Sequence, residues 1–367
     1  MPTVKKIYLN RTIGEILDIP VDSEIERMDE TGRDSNCYQG FEASTRQSKD
    51  TAHDCQSMEK TENKGTQGKK LIRLGLCCVF RDVDIKFNTT TATHILKMNR
   101  KDALNKISNL CLSNSISLMN ALKYCFESGI GCFRINSHIL PVKTHPEAGY
   151  EIQDLPNYKS IVENFQKCGD FAKSNNIRTC FHPDQFVVLN SPNPDVVNKS
   201  ILEIEYQTEV AEWVNADVVN VHGGGGYGDK TKAIDCFKKN FQKLSSTAKK
   251  LLTVENDDKV YTPTDLLPLC NELNIPLVYD VHHHRCHSDG VDIEQITNQS
   301  ILTWNNREPL FHISSPKNGW GQKKEKEHHD FIDVQDFPDF WKNQSLTIEV
   351  EAKAKESAVL QLLSQIS

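Results

Sequence analysis

Residues 217–283 read DVVNVHGGGGYGDKTKAIDCFKKNFQKLSSTAKKLLTVENDDKVYTPTDLLPLCNELNIPLVYDVHH. Three short β-rich runs, DVVNVHGGG (217–225), LLTVEND (251–257) and PLVYDVHH (276–283), alternate here with segments of helical spacing, 233–249 and 263–273. Runs of four to eight residues rich in Val, Ile, Thr and Tyr, separated by helical patterns, are the signature of βαβ units and a parallel sheet. The same texture extends in both directions. LIRLGLCCV (71–79), GCFRINS (131–137) and RTCFHP (178–183) precede it, and LFHISS (310–315) and LTIEVEAK (346–353) follow, making eight runs. Helical spacing recurs at 103–127, 158–174, 201–214, 293–304 and 356–365. Eight such units in roughly 290 residues predict an α/β fold of the (β/α)8 TIM-barrel class. A doubly wound open sheet is the competing fold, but LIRLGLCCVFRD carries no G-x-G-x-x-G phosphate loop after its first run.

Polar residues end six of these runs. His182 closes the third, His222 the fourth, Glu255 the fifth, Asp280 and His283 the sixth, His312 the seventh and Glu351 the eighth. In a barrel all carboxyl ends meet on one face, so residues some 40 positions apart converge on one pocket. A lone histidine at a strand end is more often a hydrogen-bonded core residue than a ligand, and His53, His94 and His287 are read that way. The convergent set inverts those odds. Imidazole with carboxylate suits Zn(II), Mn(II) or Fe(II), and a carboxylate can bridge two ions. A multinuclear site of this kind favours hydrolysis of a phosphate ester, because it acidifies water and stabilises both attacking and leaving oxygens.

Composition narrows the classes further. The chain has 367 residues, is 38% hydrophobic and 25% charged, and no apolar run approaches the roughly 20 residues of a membrane span. MPTVKKIYLN at the start lacks the apolar core of a signal peptide, so an intracellular protein is expected. Twelve cysteines without a C-x-x-C pair read as reduced, mostly structural thiols. A net charge of -7 argues against a simple basic nucleic-acid binder, although bound divalent ions would reverse the field where a phosphate docks. Residues 1–70 are mostly polar and lack apolar periodicity beyond about residue 22, which predicts a largely disordered extension ahead of a barrel domain at 71–367.

Several neighbouring residues bear on the pocket. In HHHRCH (282–287) only His283, three after Asp280, is taken as functional; His282 and His284 are read as structural, within what could be a surface turn. The glycines of HGGGGYGDK (222–230) shape the pocket beside His222. His328 lies in the long loop after the seventh run, over the same face. Gln185 and Phe186, in HPDQF, make a planar amide beside an aromatic, a wedge suited to displacing and stacking on bases. Arg134 and Lys353 could bind phosphate or pair with the acidic residues.

Taken together, RLGLC, FRINSHILPVKTHP, FHPDQF, SPNPDVV, VHGGGGYGDK, VENDD, DVHHH, HISSPK, HHDF and EVEAKAKE resemble the UV damage endonucleases, from about residue 73 to near the C-terminus. The resemblance implies a barrel related to the apurinic endonucleases and to xylose isomerase-like proteins. It implies that Glu255, Asp280, His312 and Glu351 hold one ion, His182 and His222 with bridging Glu255 a second, and His283 with His328 a third. Two or three divalent ions follow, Mn(II) favoured, with Mg(II), Co(II) or Zn(II) as alternatives. Glu255 and His145 are then the catalytic residues, His145 contacting phosphate or assisting proton transfer. Arg134, Gln185, Phe186 and Lys353 are the expected DNA contacts. The implied partner is UV-damaged duplex DNA, nicked without ATP on the 5' side of cyclobutane dimers and 6-4 photoproducts by a monomer. There are two departures. Where the family commonly has a lysine two residues before the seventh-strand histidine, this chain has Leu310, which bears on the third ion; and Phe186 stands where a tyrosine is usual. An apurinic-site endonuclease, a sugar isomerase and a non-catalytic lesion-binding protein are the rival readings.

Overall fold

The computed structural model describes residues 72–366; the polar extension expected over residues 1–70, with His53, lies outside them. Each expected run holds one strand: β1 (Ile72–Cys77), β2 (Cys132–Ile135), β3 (Arg178–Phe181), β4 (Val219–His222), β5 (Leu252–Glu255), β6 (Leu277–Val278), β7 (Leu310–Ile313) and β8 (Leu346–Val350). All pairings are parallel, in the order β6-β5-β4-β3-β2-β1-β8-β7. The first and last strands lie side by side, from Ile72 opposite Leu346 to Leu76 opposite Val350, which is the pairing of a barrel. Between β6 and β7 the ring closes by a single bridge, Asp280 with His312, and by the His312 N–H donating to the Tyr279 carbonyl at 3.0 Å.

Helices α1 (Ala92–Ile95) and α2 (Arg100–Glu127) follow β1, α3 (Tyr158–Ser174) follows β2 and α4 (Pro194–Val214) follows β3. Next come α5 (Lys230–Phe241) and α6 (Ser246–Leu251) after β4, α7 (Pro263–Leu273) after β5, α8 (Val281–Cys286) and α9 (Ile293–Leu302) after β6, and α10 (Glu356–Ile366) after β8. Helix α7 shows why its limits are readable: Thr262 and Asp265 form a capping box, Pro263 starts the helix and Asn274 ends it at φ 53°. The single helix expected at 233–249 is two, because the Ser245 hydroxyl accepts from the Ala248 N–H and starts a new helix. HHHRCH is not a surface turn but most of α8 and its C-cap. The Asp280 carboxylate caps it by accepting from the His283 N–H at 2.7 Å, and His282 and His284 are buried. No helix among the described residues is long and apolar enough to cross a membrane. The ten cysteines among them carry free thiols.

Alternation along the strands divides the barrel interior into layers. Cys132, Cys180, Val218, Val278 and Leu310 form an apolar layer with Trp304, separate from the main core between strands and helices. Two residues further along each strand, toward the carboxyl ends, stand Arg134, His182, Asn220, Asp280 and His312. Packing below thus fixes the polar side chains above.

Candidate metal centre

Glu255, 1% exposed, is the hub of the polar layer. Its Oε2 accepts from Asn220 Nδ2 at 2.6 Å and faces His182 Nε2 at 3.0 Å. Its Oε1 lies 3.2 Å from His312 Nδ1 and 3.3 Å from His283 Nδ1. Yet Glu255 Oε1, Asp280 Oδ2, His182 Nδ1, His222 Nδ1 and His312 Nδ1 are all buried without a hydrogen-bond partner. Buried polar groups are nearly always paired, and each exception costs about 1–3 kcal/mol. Lone pairs gathered in this way fit divalent cations. Three donor triads bring their ligand atoms within 4.8 Å of one another: His182, His222 and Glu255; Glu255, Asp280 and His312; His182, His312 and Glu351. Glu255 belongs to two of them and can bridge.

Charges in the cluster compensate. Burial would raise the Glu255 carboxyl, but the imidazoles of His312 and His222 hold it well below the usual carboxylate range. Glu351 is likewise lowered against its burial, chiefly by Arg134 and His312. Burial pushes His222 down, against the pull of Glu255. For His283 burial is outweighed by Asp280 and Glu255, which bring it up to about 10, and His312 is raised in the same way by Glu255. Cation binding at these nitrogens therefore releases protons.

One residue absent from the sequence reading completes the layer. Glu349, 1% exposed, places Oε2 at 2.8 Å from His312 Nε2, accepts from Arg134 Nε at 2.8 Å and takes the Cys180 thiol on Oε1 at 2.9 Å. A carboxylate on Nε2 holds the ring so that Nδ1 presents its lone pair toward Glu255 and Asp280. The signal lies in the run itself: Glu349, on β8, stands two residues before Glu351, a spacing that puts both on one side of an extended chain.

The other expected residues divide by position. His283 uses Nδ1 on the Asn256 carbonyl at 3.0 Å, leaving Nε2 as its free acceptor. His328, on the β7–β8 loop, lies 3.8 Å from Glu351 Oε2 through Nδ1, with its ring 6.3 Å from that of His283. His145 is outside the cluster; its Nδ1 accepts from the N–H groups of Glu147 and Ala148 at 3.2 and 3.1 Å, which leaves Nε2 as a donor. A cleft of about 1470 Å³ opens beside the centre, with His145, Gln185, Phe186, His222 and His283 in its walls. Phe186 is 78% exposed there. Lys353 is exposed on a smaller recess of about 410 Å³ that also touches His328 and Glu351. Arg134 takes the ion-pair alternative: it is 7% exposed and its guanidinium is engaged by Glu349 and by Glu351, the latter at 2.7 Å. Leu310 lies in the apolar layer beneath His312 and offers no ligand.

A parallel barrel whose carboxyl-terminal mouth gathers imidazoles and carboxylates around a shared glutamate defines a class of barrels equipped to hold divalent ions. Within that class the chain belongs to the UV-endonuclease UvdE family, whose model matches residues 72–367, and it is an endonuclease. It is 32% identical over 289 residues to the UV DNA damage endonuclease of Bacillus mycoides (strain KBAB4), covering 76% of this chain and 89% of that one. The corresponding protein of Bacillus cereus (strain B4264) is 31% identical over the same span. The crystal structure of SacUVDE superposes with a TM-score of 0.71 at 27% identity, over 81% of this chain and 98% of that one. Endonuclease IV from Thermus thermophilus, at 15% identity and a TM-score of 0.51 over 80% and 97% of the chains, shares the fold.

Proposed function

We propose that this endonuclease nicks duplex DNA on the 5' side of UV photolesions, cyclobutane dimers and 6-4 photoproducts, leaving a 3'-hydroxyl, without ATP and as a monomer. The observation that carries the reading is the convergence of unpaired buried donors around Glu255 at the inner end of a cleft rimmed by Gln185 and Phe186. Glu255, Asp280, His312 and Glu351 would hold one divalent ion, His182 and His222 with Glu255 a second, and His283 with His328 a third; Mn(II) is favoured, with Mg(II), Co(II) or Zn(II) as alternatives. Such ions, when bound, supply Lewis-acid stabilisation of charge on phosphodiester oxygens and acidify water.

The protein's own residues do the rest. Phe186 and Gln185 enter the duplex at a step whose stacking the lesion has already weakened, so displacement there costs less than in intact DNA. His145 turns its Nε2–H to a phosphate oxygen, the role left once Nδ1 is spent on its own turn. Lys353 holds the backbone on the other side of the centre, by the recess next to Glu351.

The test is strand cleavage of an end-labelled duplex with a single thymine dimer, with Mn(II), with EDTA, and for Glu255→Ala, beside undamaged and abasic duplexes. A metal-dependent nick 5' to the dimer, lost in the variant, is the expected result. Faster cutting of the abasic duplex would point to an apurinic-site enzyme, and binding without cutting under every metal to a lesion-binding protein.

A further inference from the structure

The glycine run after β4 leads to a residue that the mechanism above does not use, Tyr227. Its backbone sits at φ 44°, in the left-handed region that a bulky side chain rarely adopts. The segment leading to it is held firmly. Gly224, at φ 88°, packs so closely on Asn190 that a Cβ there would collide with the Asn190 amide. The Gly225 carbonyl accepts from Asn190 Nδ2 at 2.7 Å and from the Tyr261 hydroxyl at 3.1 Å, and the Gly226 carbonyl from the Asp229 N–H at 2.9 Å. Rigid anchoring therefore presents a strained tyrosine. A glycine at 227 would relieve the strain, so local stability does not account for the aromatic ring.

The side chain gives the reason. Tyr227 is 51% exposed, its hydroxyl makes no hydrogen bond among the described residues, and its ring lies over Gly225, whose Cβ position is 2.8 Å from the ring. It lines the same cleft as Phe186, with His222 and His283 at the inner end. Two exposed aromatics thus stand on successive strand-end loops, after β3 and after β4, around one opening.

We infer that Tyr227 is a specificity-determining residue that stacks on a nucleobase at the lesion, giving the displaced DNA a second aromatic platform besides Phe186. The inference rests on the function proposed above. A flat ring on a preorganised loop accepts any base, because every base has a π-face. Intact duplex keeps its bases stacked inside and gains nothing from it.

The experiment compares wild type, Tyr227→Gly and Tyr227→Phe, each as the full chain as purified. Binding is measured on a thymine-dimer duplex whose linkage 5' to the dimer is a non-hydrolysable methylenephosphonate, and on its undamaged counterpart, with 2-aminopurine beside the dimer as a stacking reporter. Tyr227→Gly should melt no lower than wild type, yet bind the dimer duplex about tenfold more weakly and leave the 2-aminopurine bright. Its affinity for undamaged duplex should not change, and Tyr227→Phe should match wild type throughout. Equal dimer affinity and equal quenching in Tyr227→Gly would overturn the inference. So would a loss in Tyr227→Phe as large as in Tyr227→Gly, which would assign the effect to the hydroxyl. A wild type with no preference for the dimer duplex would overturn the function reading, and this inference with it.

Discussion

Replacing Glu349 with Gln keeps the shape of the side chain and removes one negative charge from a largely buried set: Arg134, Glu349, Glu351 and His312. Breaking a buried pair by removing one partner costs about 3–5 kcal/mol when nothing takes its place. Here two things reduce that figure. The amide oxygen can still accept from Arg134 Nε, and Arg134 keeps Glu351 at 2.7 Å, so about 2 kcal/mol is expected, within the range for one poorly satisfied buried group. The larger effect is on His312, whose Nε2 loses its carboxylate and whose Nδ1 loses its fixed direction. Loss of such a partner typically weakens metal affinity about 10–100-fold. At saturating metal that removes a further ~1.4–2.7 kcal/mol of ligand-linked stability. The assay is urea unfolding of wild type and Glu349→Gln, each in EDTA and in excess Mn(II). The stability gap should widen from about 2 to about 4 kcal/mol when metal is added. A gap that stays the same would show that Glu349 does not act through His312, and no gap in EDTA would refute the buried-charge reasoning itself.

Other consequences can be checked independently. Glu255→Gln takes the shared ligand from two donor triads, so metal should no longer raise the unfolding midpoint and tight binding by equilibrium dialysis should disappear. Asp289, which accepts from His284 at 2.8 Å, is held down at about 2 against its partial burial by that bond and by the Val291 N–H. Its folded pKa lies below the unfolded one, so its stabilisation is complete above about pH 4 and is lost as pH falls toward 2. Asp289→Asn should therefore be about 1–2 kcal/mol less stable at pH 7, with the difference vanishing near pH 2 in acid titrations followed by circular dichroism. Gly224→Ala meets both a left-handed backbone and the Asn190 amide, and should cost about 2–5 kcal/mol in denaturant unfolding.

The barrel is legible because its two periods never mix: strand runs end where capping and turn residues begin, as at Thr262 and Asn274 around α7. The polar layer is legible for the same reason. Once strand ends converge, His182, His222, Glu255, Asp280, His312 and Glu351 must meet, whatever their separation in sequence. Glu349 is harder to single out because LTIEVEAK carries two acidic residues and only the later one, Glu351, closes the run, although alternation puts both on one side. For Arg134 the sequence leaves two outcomes open and only packing decides between them, since no pattern in FRINS distinguishes a guanidinium turned to solvent from one enclosed by Glu349 and Glu351. His145 and Tyr227 depend on loop geometry, a tautomer in one case and a left-handed backbone in the other. Neither leaves a periodic trace. The break between α5 and α6 rests on one serine whose capping role is indistinguishable, by composition, from that of a serine inside a helix.

The seam between β6 and β7 links the fold to the chemistry. Most neighbouring pairs share an extended ladder, β3 and β4 share only Phe181 opposite Val219, and this pair is joined by Asp280 opposite His312, two members of one donor triad. A thinly bonded part of the wall is thus a place where an ion would tie it across. A cation held there would act as a clasp on a seam that the backbone fastens lightly, so metal is expected to oppose a parting of β6 from β7. Amide exchange along Tyr279 to Val281 and Phe311 to Ile313 then reads out whether the clasp is fastened, with no DNA present.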